Sequence, residues 1–320
     1  RFDIPVGCIG GGEYDPQPIT VITYDSAARK IESLGNRFGL LIFDECHHLG
    51  GSVYRSIAEM SIAPFRLGLT ATLERADGAE SDIINIIGPV VKDIPVSELS
   101  GSVLAPYRTM RIRVNLTETE RQEYEQARDR YVQFCKTNGV YFGRGGGWNK
   151  FLRLAFRTPA GREAFKAYRV QKEIPLKSEA KAKVLANLLL KHQDARILIF
   201  THVNEMAYKI SARHLIPVIT HQTPAGERLD ILSKFSRGEY RAIVTSRVLN
   251  EGVDVPAASV AIVVSGSGSQ REHIQRLGRI LRKGDGNKFA VLYELVAGDS
   301  HEEQMSRRRR TNLYYSSGPG

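Results

Sequence analysis

The chain has few cysteines and no long apolar run. Its 320 residues include only Cys8, Cys46 and Cys135, far apart and without the Cys-x-x-Cys spacing of a zinc or redox site. A disulfide framework is therefore excluded as the basis of the fold, and reduced thiols are expected, as in a cytoplasmic protein, or a nuclear one in a eukaryote. There is no run of eighteen apolar residues and no charged, apolar, small-residue leader, so no membrane insertion or export is expected. Also missing is any Gly-x-x-x-x-Gly-Lys-Ser/Thr loop, the element that cradles β and γ phosphates, and the first residue is Arg1 rather than Met.

What is present is ample apolar content and an excess of cations. Hydrophobic residues make up 42% of the chain, enough for two domains with their own cores. The formal net charge of +10 favours a polyanionic partner, nucleic acid ahead of an anionic membrane, although basic proteins without such a partner are common.

The most informative segment is Gln275-Arg276-Leu277-Gly278-Arg279-Ile280-Leu281-Arg282, which sets three arginines at helical i, i+3, i+6 spacing. Guanidinium groups are always charged and fork onto phosphate oxygens, so arginines converging on one place suit phosphoryl transfer. Taken alone the octet is equally well a solvated basic helix face. Its company decides. Phe38 to Phe43 is an apolar run ending in Asp44-Glu45-Cys46-His47-His48, the pattern of a buried parallel strand with acids at its carboxyl end, where open α/β sheets bind ligands. One acid can hold Mg²⁺ through its water shell while the next polarises a water. Phe65-Arg66-Leu67-Gly68-Leu69 then leads into Thr70-Ala71-Thr72, and Arg241 to Ser246 is followed by Leu249 to Pro256 and the octet.

With these residues the chain resembles a superfamily 2 helicase, and within that group the XPB family, especially its archaeal members. The resemblance is carried by DECHH at 44–48, RLGLTATLERADG at 66–78 and VLNEGVDVPAASVAIVVSGSGSQREHIQRLGRILR at 248–282, and it covers about residues 18–297. It implies two RecA-like parallel-sheet motor domains with a thumb-like, all-helical insert between them. The expected boundaries are 1–116 for the later part of the first motor domain, 117–176 for the insert, 177–300 for the second motor domain and 301–320 for a basic tail. The missing phosphate loop then makes the chain a piece of a longer protein, inactive by itself.

Alternating apolar runs and helix signals support this layout. Ile19 to Tyr24 is strand-like, a helix starts at Asp25-Ser26 and ends near Leu34, and another spans about Val53 to Met60. Tyr107 to Leu116 alternates apolar and basic residues as a half-exposed strand leading out of the first domain. Thr117-Glu118-Thr119-Glu120 fits a capping box, opening a helix to about Asn138 with Tyr124, Ala127, Tyr131 and Phe134 on one face. A second helical stretch begins at Trp148 and is interrupted at Pro159. The insert is rich in cations, Arg153 and Arg157 among them, which the family resemblance assigns to DNA and a plain reading to a solvated surface. In the second domain, strands are expected at 197–200, 217–219, 242–244, 260–264 and 289–293, with helices near 179–192, 204–213, 225–237 and 269–281. Arg307 to Arg310 reads as a solvated tail.

The resemblance also implies roles. ATP and Mg²⁺ are the expected cofactors, with Asp44 positioning the metal, Glu45 orienting the lytic water, and His47, with Gln275, linking the γ-phosphate site to movement. Thr70 and Thr72 couple hydrolysis to closure; Gly252 and Asp254 touch the nucleotide, and Arg279 and Arg282 are arginine fingers. DNA, duplex or at a single-strand junction, is the expected partner, with a nuclease as a protein partner in archaea. Its candidate contacts are Gly10, Gly11, Thr23, Thr201, Thr223, Thr245, Arg153 and Arg157, and Arg75 and Asp77, which flank Ala76 where the family carries an acid. The favoured activity is that of an ATP-dependent 3'-5' DNA translocase or helicase in nucleotide excision repair and in transcription. The alternatives are a superfamily 2 motor on RNA, a restriction-type translocase, or a catalytically silent DNA-binding scaffold.

Overall fold

The computed structural model describes residues 4–70, 73, 80–94, 106–142, 146–246, 258–265 and 289–310, except for the side chains of 307–310. The chain divides into two compact units, Arg1–Ile94 and Pro95–Gly320.

In the first unit β1 (Val6–Gly10) pairs in parallel with β3 (Ile19–Ile22), and β2 (Glu13–Tyr14) runs antiparallel to β1. A second pair, β4 (Leu40–Asp44) and β5 (Phe65–Leu69), is also parallel. Helices α1 (Tyr24–Leu34), α2 (Ser52–Glu59) and α3 (Glu80–Ile87) alternate with these strands. β3 is β-branched throughout, which suits a pleated strand. Thr23 ends it and starts α1, its hydroxyl accepting from Ser26 N at 3.3 Å. Ile31, Phe43, Leu49, Ile57 and Ile83 form the core. Gly68 is required by close approach, because a Cβ there would lie 2.7 Å from Ile87 Cδ1 and 3.0 Å from Cys46 Sγ. That contact presses β5 against the short 3₁₀ turn Cys46–Gly50, which carries His47.

The second unit is built on a six-stranded, all-parallel sheet. Its strands are β6 (Tyr107–Val114), β7 (Ile197–Thr201), β8 (Val218–Ile219), β9 (Ala242–Ser246), β10 (Val260–Val263) and β11 (Ala290–Ala297), in spatial order β6-β11-β10-β7-β9-β8. Alternate residues of β7 enter opposite cores, Ile197 and Ile199 on one face and Leu198 and Phe200 on the other. Both faces are therefore buried, as the continuous apolar runs require. Helices α7 (Glu179–Lys191) and α8 (Asn204–His214) supply Leu185, Leu188 and Ile210 to one core, and α9 (Ala225–Arg237) supplies Ile231 and Phe235 to the other.

Two differences from the sequence reading concern boundaries. A division at residue 116 puts Tyr107–Val114 with the first unit, yet its eight residues pair in register with β11 and make it the edge strand of the second sheet. Its half-exposed alternation is that of an edge strand, which a strand leading out of a domain shares. The segment read as a basic tail begins with helix α10 (His301–Arg310), in which Glu302 and Ser306 are buried.

The insert consists of α4 (Glu118–Thr137), α5 (Gly147–Arg157) and α6 (Pro159–Leu176). Phe151, Cys135 and Ala164 lie at its centre, and rings of Tyr131, Phe134, Phe165 and Tyr168 pack around them. Thr117 and Glu120 form the expected capping box, but Glu120 does more. Its carboxylate accepts from Thr117 N at 2.9 Å, Ser178 Oγ at 3.0 Å and Glu179 N at 2.7 Å, so one side chain caps α4 and α7. Arg121 donates to the carbonyls of Gly298 (2.8 Å) and Asp299 (3.1 Å), and Tyr124 Oη accepts from His301 N at 3.0 Å. The base of the insert is thereby joined to the second sheet.

Beside this joint Lys181 is fully buried, donating to both carboxylate oxygens of Glu302 (2.8 and 2.6 Å) and to the Val264 carbonyl (2.9 Å). Removing only one partner strands a buried charge. Lys181→Met is expected to destabilise the second unit by about 3–5 kcal/mol in denaturant titrations, and adding Glu302→Leu should restore much of the loss. His301 supplies a pH dependence. Burial, then the charges of Lys172 and Lys181, push its imidazole down to about 3. The unfolded chain binds that proton near pH ~6.5, so between about 6.5 and 3 the unfolded state holds more protons and stability falls as pH falls. His301→Gln is expected to flatten the melting temperature against pH in this window.

Candidate functional site

The carboxyl ends of β4 and β5 bring the acids, a histidine and a threonine of the first unit together. Their register sets Asp44 beside Leu69, so Thr70 follows at the same end. The chain reverses immediately after Asp44, with Glu45 in the left-handed region at φ 52° and ψ 48°. A side chain held there costs on the order of 1–3 kcal/mol, the kind of strain that persists where the surroundings over-determine the backbone. The reversal buries His47 and puts its Nδ1 3.3 Å from Glu45 Oε2 and 3.3 Å from Thr70 Oγ1. One ring nitrogen thus stands between the carboxylate on one strand end and the hydroxyl on the next.

Asp44 is exposed, and one of its oxygens accepts from Glu45 N at 3.1 Å. Tyr24, not foreseen as a site residue, donates its hydroxyl to the Asp44 carbonyl at 2.9 Å. Burial first, and then the neighbouring Cys46, Asp44 and Glu45, push the Tyr24 phenol well up, so it stays a protonated donor. Its ring lies 5.6 Å from that of His48 and 5.3 Å from that of Tyr54, whose hydroxyl donates to Asp25 Oδ1 at 2.7 Å. The sequence signal was the position of Tyr24, directly after the Thr23 cap in the first turn of a helix that starts at a strand's carboxyl end. Among the described residues no group of three or more His, Cys, Asp or Glu side chains could enclose a metal. A lone exposed carboxylate instead fits a hard ion that keeps its waters and takes its other ligands from substrate phosphates, the habit of Mg²⁺.

The expected nucleic-acid contacts fare unequally. Gly11 is an exposed turn residue at φ 61° between β1 and β2, and Gly10 packs against Thr23, where a Cβ would lie 3.2 Å from Thr23 Cγ2. Those three are neighbours, although the Thr23 hydroxyl is engaged in its helix cap. Thr201 and Thr245 require correction as side-chain phosphate contacts, since both are fully buried. Thr201 Oγ1 donates to Val203 O at 3.2 Å. A hydroxyl at a strand's carboxyl end gives the same sequence signal whether it faces a phosphate or its own backbone. Thr223 is half-buried, with its Oγ1 accepting from Thr220 N at 2.9 Å. Arg153 and Arg157 are exposed on α5. Thr72, Arg75, Asp77, Gly252, Asp254, Gln275, Arg279 and Arg282 lie outside the described residues, as does the expected helix at 269–281.

Residues 5–75 match the family model described as type III restriction enzyme, res subunit, and residues 180–284 match the helicase conserved C-terminal domain. A Sulfurisphaera tokodaii protein named DNA 3'-5' translocase XPB2 is 43% identical over 97% of this chain and 70% of its own length. A Mycobacterium tuberculosis protein named DNA 3'-5' helicase XPB is 32% identical over 96% of the chain, which spans only 51% of that relative. The crystal structure of the Pyrococcus furiosus Hef helicase domain, at 20% identity, superposes with a TM-score of 0.53, covering 96% of this chain and 84% of that one, and shows the shared RecA-like fold. With two fifths of its residues shared with an archaeal XPB across almost its whole length, the chain belongs to the XPB family of superfamily 2 helicases.

Proposed function

We propose that this chain supplies the larger part of an ATP-driven motor that moves along DNA in the 3'-5' sense and opens the duplex, in nucleotide excision repair and in transcription. The observation that carries the reading is the position of His47 Nδ1, 3.3 Å from both Glu45 Oε2 and Thr70 Oγ1 at the ends of adjacent parallel strands. A buried ring set between an acid and the following strand end is suited to reporting the state of a phosphate to the rest of the fold. Asp44 would hold Mg²⁺ through its water shell, and the ion would supply positive charge against the phosphates of ATP. Glu45 would orient the attacking water and receive its proton. His47, with Gln275, passes the change onward, and Thr70 and Thr72 couple it to motor movement. Gly252 and Asp254 contact the nucleotide, and Arg279 and Arg282 stabilise charge developing on the transferred phosphoryl group.

Gly10, Gly11 and Thr23 on the first unit, and Thr223, Arg153 and Arg157 on the second, track the phosphate backbone of DNA without reading its sequence. Arg75 and Asp77 assist strand opening. In an archaeal cell the protein is cytoplasmic and works beside a nuclease; in a eukaryotic cell it is nuclear. Phosphate release tests this reading. The full-length protein, carrying a phosphate loop, is expected to turn over ATP faster with DNA than with RNA, and the 320-residue chain alone to release no phosphate. Stimulation by RNA in preference to DNA would assign the motor to RNA, and robust turnover by the chain alone would remove the need for the loop.

A further inference from the structure

The insert exposes aromatic rings at the edge of its own core. Around its aromatic centre, where Phe151 is fully buried, Tyr141 is 77% exposed, Phe142 53%, Trp148 40% and Phe156 72%. Trp148 lies in the first turn of α5 and keeps contact with the core, its ring 5.5 Å from Phe151 and 5.2 Å from Tyr168, and it lies 6.4 Å from Phe142. Phe156 lies in the last turn of the same helix. Arg153 stands one turn before it and Arg157 directly after it, and all three are exposed, while Phe151 and Ala155 are buried. Both arginines are exposed, and neither has an ion-pair partner among the described residues. The surrounding sequence is uniformly cationic: 138–162 contains Arg144, Lys150, Arg153, Arg157 and Arg162 and no Asp or Glu.

Rings that are exposed, held at one edge by a packed core and flanked by exposed guanidinium groups match the chemistry of unpaired bases, which offer flat π-faces beside a line of phosphates. Lipid is the competing polyanion. An interfacial membrane helix needs a whole apolar face to sink among acyl chains, and the apolar face of α5 is already spent on the insert core. We infer that the outer edge of the insert, from Tyr141, Phe142 and Trp148 at its tip to Phe156 at the far end of α5, is a stacking platform for unpaired nucleic-acid bases. Arg153 and Arg157 hold the adjoining phosphates. Trp148 and Phe156 stand eight positions apart on the helix, about 12 Å along its axis, room for on the order of three stacked bases. The inference rests on the proposal that the chain binds DNA, and it adds which strand state the insert holds and by which rings.

The chain's single tryptophan makes the test direct. In the 320-residue chain, oligothymidylate is expected to quench Trp148 emission, and blunt duplex of equal length to bind without quenching it. Phe156→Ala, at a site too exposed to disturb folding, should weaken oligothymidylate binding about tenfold with an unchanged salt slope, because no phosphate contact is lost. Phe156→Tyr should restore it. Arg153→Ala with Arg157→Ala should weaken both DNA forms and reduce the slope by roughly one unit per lost contact. If anisotropy reports oligothymidylate binding while Trp148 stays unquenched and Phe156→Ala binds normally, the stacking platform falls and the DNA reading stands. If no DNA binds, both fall, and a shift of Trp148 emission on phosphatidylglycerol vesicles alone would make the edge a lipid contact.

Discussion

Arg279→Ala or Arg282→Ala in the full-length protein is expected to lower ATP turnover about 10³-fold or more, the scale associated with an arginine finger in phosphoryl transfer. The phosphoryl group in flight spreads its charge over three oxygens, and a planar guanidinium can bridge two of them. Lysine at either position should therefore rescue only in part, since ammonium restores the charge but not the fork. Single-turnover hydrolysis with saturating nucleotide separates this loss from weakened binding. Variants that stay folded and hydrolyse at the normal rate would reduce the octet at 275–282 to a basic helix face, and the two-domain catalytic reading would go with it.

Glu45→Gln is expected to stop turnover, by at least the 10²–10⁴-fold that a positioned general base contributes, while nucleotide still binds. The amide has nearly the shape of the carboxylate and can keep a contact with His47, so the left-handed turn at Glu45 and the burial of His47 should survive. On the proposed reading Asp44 remains to hold the metal, and what is lost is the capacity to take a proton from water. Nucleotide titration on the same variant should give an affinity near that of the unaltered protein, and a parallel loss of affinity would assign Glu45 to binding instead. His47→Ala should behave differently, keeping the carboxylate but cutting its link to Thr70, so that hydrolysis persists while DNA no longer stimulates it.

The elements of the second unit were legible because their signals are local. Ile197 to Phe200, Ala242 to Val244 and Val260–Val263 are continuous apolar runs, and runs of that kind form strands buried on both faces. The capping box at Thr117 follows from four residues, and so does its helix. Asp44, Glu45 and His47 could be named as a group because a strand that stops abruptly at acidic residues sets them at the ligand-binding end of a parallel sheet. Their mutual geometry could not be read. The left-handed backbone of Glu45 and the approach of His47 to Thr70, 23 residues away, depend on the register of β4 with β5 and on the space that Gly68 leaves.

Partnerships between distant segments were decided by the tertiary structure. Tyr107–Val114 has the alternation of any half-exposed strand, and only its hydrogen bonds to Ala290–Ala297, far along the chain, assign it to the second sheet. Thr201 and Thr245 share one pattern with surface phosphate ligands, and burial, a sum over neighbours from several elements, separates them from that role. Glu120 reads as the cap of one helix and caps two, because the start of α7 comes to lie beside it from 58 residues away. Sequence alone determined where most of the described strands and helices lie, since period and capping act over a few residues. Which strand is whose neighbour and which hydroxyl is buried were settled only by packing, because each depends on chain segments that meet in space and not in sequence.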